Sequence, residues 1–265
     1  VHTSTVRDRS VLKVVVTEPA LVLGAGRALL LQLAHPRVAQ GVADHSDFRD
    51  HPLPRLFGTL DFLTIVALGT DEEADAVGRA VRRLHERITG PGYRGNDPDL
   101  QVWVNATLID SALFVYERIL GSPGGDVAER YIEQAAIVAD VLGCPPGAQP
   151  ADLASFRSYM DEMINTLEVS GTGREVAHAV LHARGLWWLW PGLALNRFVT
   201  TGLLPEPLRA QFGLTWSPAR DRLLWTLLRT GAFSYRLVPG PLRRSPQHLA
   251  IRGARRRTRR RAAKA

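Results

Sequence analysis

Apolar positions recur every three to four residues along most of the chain, the period of a helix with one buried face, and strand-type alternation is scarce. The spacing predicts helices over roughly Pro19 to Leu33, Arg37 to Ala43, Pro54 to Leu68, Asp71 to Thr89, Pro98 to Leu120, Gly125 to Leu142, Ala151 to Leu167, Glu175 to Leu181, Trp187 to Thr200, Glu206 to Phe212 and Ser217 to Thr230. Val11 to Val16 is the one β-branched run, and it is short. Local punctuation agrees with these limits. Acids at Asp71, Glu72, Glu73 and Asp75 complement the positive end of their helix, and Thr89-Gly90-Pro91-Gly92 stops it. Asp97-Pro98 is an N-cap followed by proline at the first helical position. No repeat and no domain-sized linker interrupts the pattern. The expected class is all-α: an N-terminal segment (1–18), a single multi-helix globular domain (19–240) and a disordered basic C-terminal tail (241–265).

Composition narrows the chemistry. At 265 residues and 45% hydrophobic, the chain is long enough to bury one large core. The lone cysteine, Cys144, excludes an internal disulfide framework, a Cys-rich zinc site and a cysteine-ligated cluster, which leaves histidines, carboxylates or a bound cofactor. Val1 to Ser10 has no apolar run of signal-peptide type, and no stretch offers about 18 uninterrupted apolar residues. A cytoplasmic location is expected, with peripheral membrane association as an option. The net charge of +7 is unevenly placed, because residues from Pro241 onward carry +10 and no acid, leaving −3 for the rest. Such a tail reads either as a solubilising end or as a patch for anionic lipid or nucleic acid.

Candidate chemistry lies first in two helical segments. Arg55 and Thr59 are four apart on one face, and His85 shares a face with Val77, Val81, Leu84 and Ile88, the side expected to be buried. A buried imidazole must be satisfied by a hydrogen bond or a metal. Gly24 and Gly26 resemble part of a dinucleotide fingerprint, but no βαβ unit surrounds them, so close helix packing is their better explanation. Glu175, His178 and His182 have a spacing used by metal ligands on helices, without the second copy that a di-iron bundle requires. The helix before His35 is expected to end at the His35-Pro36 step, and His45 suits a loop that caps or hydrogen-bonds. Trp187, Trp188 and Trp190 read as core, as a pocket lining, or as a membrane-surface patch.

The order of motifs resembles the family of MpaB-type oxygenases and rubber oxygenases called latex-clearing proteins. The resemblance runs through Arg27 to Pro36, Gly41 to Phe48, Pro54 to Thr59, Val81 to Gly90, Asn96 to Ser111 and Glu129 to Tyr131, with weaker matches in Thr201 to Pro205 and Leu208-Arg209. It implies an all-α protein holding haem b, with the proximal histidine matched by His85. Arg55 and Thr59 match an arginine and a threonine near the haem of the rubber-cleaving branch. That branch places between them a lysine able to ligate iron, where this chain has Gly58. Its glutamate base has no match here.

On that resemblance the expected activity is that of a haem-dependent oxygenase or oxidase. His85 would bind iron, with Arg55 and Thr59 beside the cofactor and O2 or peroxide as oxidant. An apolar or aromatic small molecule would be the substrate and an electron donor a partner. The alternatives are a non-catalytic haem-binding sensor and a non-haem metal enzyme using Glu175, His178 and His182.

Overall fold

The computed structural model describes residues 7–45, 52–122, 124–182 and 190–262. The chain begins with α1 (Ser10–Val16), a 3-10 turn (Pro19–Gly24), α2 (Ala25–Ala34), α3 (Pro36–His45), α4 (Pro52–Leu68) and α5 (Asp71–His85). A two-stranded hairpin, β1 (Thr89–Gly90) and β2 (Tyr93–Arg94), leads into the long α6 (Pro98–Ile119). Then come α7 (Gly125–Ala135), α8 (Ile137–Val141), α9 (Leu153–Thr166), α10 (Gly171–Leu181), α11 (Trp190–Leu203) and α12 (Glu206–Gln211). The last elements are α13 (Pro218–Leu237), α14 (Gly240–Arg243) and α15 (Gln247–Ala262). The all-α class expected from periodicity is the observed one.

Helix α6 is the axis of the body. Its buried residues, among them Leu100, Trp103, Ala106, Ile109, Leu113 and Val115, face around most of its circumference, as in a helix covered on several sides. It packs against α2, the 3-10 turn and α13 as well as α7 to α9. Glycines permit the closest of these approaches. A Cβ at Gly26 would meet Thr200 Oγ1 at 2.0 Å, and one at Gly24 would meet the Ser111 carbonyl oxygen at 3.0 Å. The glycine pair therefore serves helix packing, not phosphate binding.

Several limits depart from the sequence pattern for tertiary reasons. The β-branched run Val11 to Val16 is helical, because the Gln134 side-chain oxygen accepts from the N–H groups of Val11 and Leu12 while Leu12 and Val15 enter the core. Helix α5 stops at His85, short of Thr89, where the hairpin folds back beneath it. The predicted Gly125 to Leu142 helix is divided at Ala136 into α7 and α8, and α13 continues past Thr230 to Leu237.

At the basic end, residues 247–262 form α15 and lie against α4. Ile251 and Ala254 are buried in the main core. Arg257 grips the buried Asp61 of α4 through two nitrogens, Nε at 2.8 Å and Nη2 at 2.6 Å, and Arg255 donates to Glu73 at 2.6 Å. Arg243 and Arg244 both pair with Glu18, which is 2% exposed. Arginines that look like surplus charge in composition thus meet acids contributed by the first third of the chain.

Two substitutions test this packing. Ala254→Asp, harmless in an unpacked tail, should lower unfolding free energy by about 2–3 kcal/mol in denaturant titration because it buries an unpaired carboxylate. Arg27→Ala removes the guanidinium that joins Asp110, Ser111 and the Leu203 carbonyl. The loss should be about 3–5 kcal/mol, read as a lower urea midpoint.

Candidate functional site

The site is built on the α4–α5 hairpin. Gly69 and Thr70 make a two-residue connection, and a Cβ at Gly69 would come within 2.5 Å of the Ile65 carbonyl. Thr70 then caps α5: its hydroxyl accepts from the Glu73 N–H at 3.2 Å while the Glu73 carboxylate accepts from the Thr70 N–H at 3.1 Å. So short a turn makes the helices antiparallel neighbours. Residues near 55 and residues near 85 consequently sit at the same end of the pair.

That end carries the histidine singled out from sequence. His85 is half-buried, with Nδ1 shielded from solvent. The face predicted to be buried is so only in its first part: Ala74, Val77 and Gly78 are covered, whereas Leu84 is 58% exposed. Thr59 is exposed on α4, as is Phe57 at 48%. Arg55 lies in the first turn of α4, and its side chain falls outside the described residues. Two apolar side chains, Phe57 and Leu84, therefore stand uncovered at the end of the hairpin that carries the half-buried imidazole.

The hairpin after α5 fixes this end. The His85 carbonyl accepts from Ile88 N–H at 3.0 Å, and a Cβ on Gly95 would lie 2.7 Å from the same oxygen. Asn96 donates to the Arg82 carbonyl at 3.0 Å, and Gln101 donates to Asn96 at 3.1 Å and to the Gly95 carbonyl at 3.2 Å. From α3, Asp44 accepts from the Tyr93 hydroxyl at 2.6 Å, and His45 Nε2 donates to the Thr89 carbonyl at 3.1 Å. Burial, followed by that contact with Asp44, pushes the Tyr93 phenol up to about 12, so it remains a donor. The motif residues Asp44, His45 and Asn96 thus act as braces for the segment beside His85.

A cavity of about 610 Å³ opens there, with His85, Thr89, Tyr93, Arg94 and Asn96 in its wall. Its wall combines the His85 imidazole, the Arg94 guanidinium, the Asn96 amide and the Glu86 carboxylate, so it offers both donors and acceptors to a polar or charged group.

The other histidines are placed differently. His178 and His182 stack with ring centroids 4.1 Å apart, and His182 Nδ1 donates to the His178 carbonyl at 3.0 Å. Among the described residues no three His, Cys, Asp or Glu side chains converge as a metal-binding group. In the Glu175, His178, His182 alternative one ring nitrogen is engaged with the helix itself, and among the described residues the three side chains do not converge. His35 ends α2 in extended backbone, as its following proline predicts, and its Nδ1 accepts from the Arg37 N–H at 3.2 Å. Trp187 and Trp188 lie outside the described residues, as does the side chain of Trp190.

Sequence reading missed the Tyr93–Asp44 brace, whose signal was the polar Asp44-His45 pair ending α3. It also missed an interior apolar cavity beside Tyr131, a residue at the end of one quoted motif.

The fold and the site together define an all-helical domain whose α4–α5 hairpin places a half-buried imidazole in the wall of an open cavity. The chain belongs to the family described as ER-bound oxygenase mpaB/B'/Rubber oxygenase, catalytic domain, whose profile matches residues 12–233. It is similar to uncharacterized protein Rv2237 of Mycobacterium tuberculosis and uncharacterized protein Mb2261 of Mycobacterium bovis. Each is 28% identical over 222 residues, covering 80% of this chain and 87% of the relative. No solved structure gives a significant match. Family membership supports a general oxygenase-type oxidoreductase role. Among the described residues no single helix is long and apolar enough to cross a membrane.

The half-buried position of His35 has a measurable consequence. Loss of solvation, reinforced by Arg37, holds its imidazole below the ordinary value near 6.5. The folded state therefore binds this proton less readily than the unfolded state. Its share of stability is full above about pH 6.5 and is lost as pH falls through and below that value. His35→Gln should flatten the decline in urea midpoint between roughly pH 7 and 5 relative to wild type; an unchanged slope would show that His35 titrates normally.

Proposed function

We propose that the protein is a haem-b-dependent oxidoreductase, using O2 or peroxide on an apolar or aromatic small molecule, with His85 as the residue that would hold the iron. The observation that carries this reading is the half-buried imidazole at a cavity of about 610 Å³, on the same hairpin end as the uncovered Phe57 and Leu84. Exposed apolar side chains beside an imidazole are what an apolar ring system would cover. Membership of an oxygenase family supplies the reaction class.

The bound haem would supply the redox-active iron that activates the oxidant. The chain's part is to hold and orient. His85 would hold the iron through one ring nitrogen, and the hydrogen-bond ladder of Asn96, Gln101 and Gly95 fixes the backbone on which that ring is carried. Arg94, and Arg55 from the α4 side, meet carboxylate groups or developing negative charge. Thr59 supplies a hydroxyl at the same end. Gly58, where the rubber-cleaving branch has lysine, offers no side chain as a second ligand. An electron donor completes the cycle if O2 is the oxidant.

The test is the absorption spectrum of protein produced with ample haem supply, ferric and dithionite-reduced. Wild type should show a Soret band, and His85→Ala should lose or shift it, with exogenous imidazole restoring the spectrum in His85→Gly. A folded, colourless wild type that takes up no added haem would overturn the proposal.

A further inference from the structure

A second cavity, of about 300 Å³, lies inside the body between the α1–turn–α2 segment, α4, α6 and α7. Its walls are mainly apolar, including Leu12, Leu63, Leu68, Ile109, Ala112 and Val138. None of its described wall residues belongs to the cavity beside His85. Most polar groups at its margin are already engaged. Glu18 is paired with Arg243 and Arg244, Asn105 donates to Gln149 at 3.0 Å, and Ser111 accepts from Arg27 at 2.9 Å.

Thr64 and Tyr131 are the exceptions, neither side chain making a hydrogen bond among the described residues. Of the two, Tyr131 is the buried one, 4% exposed. Buried tyrosine hydroxyls ordinarily find partners, since leaving one unmade sacrifices its solvation. Burial alone pushes this phenol up, so at neutral pH it is an O–H donor without an acceptor.

The size of the space limits what can enter. An apolar protein cavity of about 150 Å³ accommodates benzene, so about 300 Å³ holds roughly a dozen non-hydrogen atoms. Pro246 and Ala250 of the C-terminal segment and Val22, 57% exposed, complete the apolar lining.

We propose that this cavity is a binding site for an apolar molecule of about a dozen non-hydrogen atoms bearing one hydrogen-bond-accepting oxygen, to which the Tyr131 hydroxyl donates. The site is complete in the polypeptide and does not depend on haem at His85.

The experiment compares 2-decanone with undecane, molecules of equal heavy-atom number that differ in one carbonyl oxygen. Binding to the full chain is measured by headspace gas chromatography, without added haem. Wild type should retain both, the ketone at least fivefold more tightly. Tyr131→Phe should weaken the ketone about fivefold and change undecane less than twofold, while Ala112→Leu should weaken both about tenfold by filling the space. Thermal melts confirm folding, and if Ala112→Leu does not fold, the Tyr131→Phe comparison decides alone. Failure of wild type to retain either molecule, or equal effects of Tyr131→Phe on both, would overturn the proposal.

Discussion

The organisation of the molecule depends on one buried cation. Arg27, 4% exposed on α2, donates through Nε to the Leu203 carbonyl at the end of α11, at 3.0 Å. Its Nη1 reaches Asp110 at 2.5 Å and Ser111 at 2.9 Å on α6, and its guanidinium lies 4.7 Å from the Phe114 ring centroid. A guanidinium without such partners would be strongly penalised at this depth, so α2, α6 and α11 have little freedom to slide. The planar fork sets their register, while hydrophobic burial supplies most of the driving force. Gly24 and Gly26, within the turn that precedes it, let the backbones come close enough for the fork to reach.

On this frame the α4–α5 hairpin can afford an end that is poorly covered. Its closed end is over-determined by the Thr70–Glu73 capping box, by the arginines of α15, and by Gly78, where a Cβ would approach the Val141 carbonyl to 2.3 Å. Its open end keeps apolar residues in solvent. Local stability is thus graded along a single pair of helices, and the less stable end is the one that carries His85.

The sequence makes some of this legible and conceals the rest for identifiable reasons. The end of α2 at His35 is legible because proline acts locally, and the start of α6 because Asp97-Pro98 does. The stop of α5 at His85 is not, since it depends on Gly95 and Asn96 folding back from the next element. Arg27 and Asp110 stand out in the motif order, but their ion pair spans 83 positions and no local pattern reveals it. Helix α15 is hidden by its own composition: seven arginines without an acid read as a solvated end until Asp61 and Glu73 are found waiting in the fold. The cavity beside Tyr131 is a property of packing, and residue types alone cannot disclose a space.

The dependence of α4 on α15 also orders events during synthesis. Asp61 and its partner Arg257 are 196 residues apart. At about 5–20 residues per second, roughly 10–40 s separate the two at the ribosome. Through that interval a carboxylate destined for burial, and the helix face around it, must stay hydrated or be held by another protein. The nascent chain is therefore exposed to misassociation for longest along α4, the same helix that carries Arg55 and Thr59.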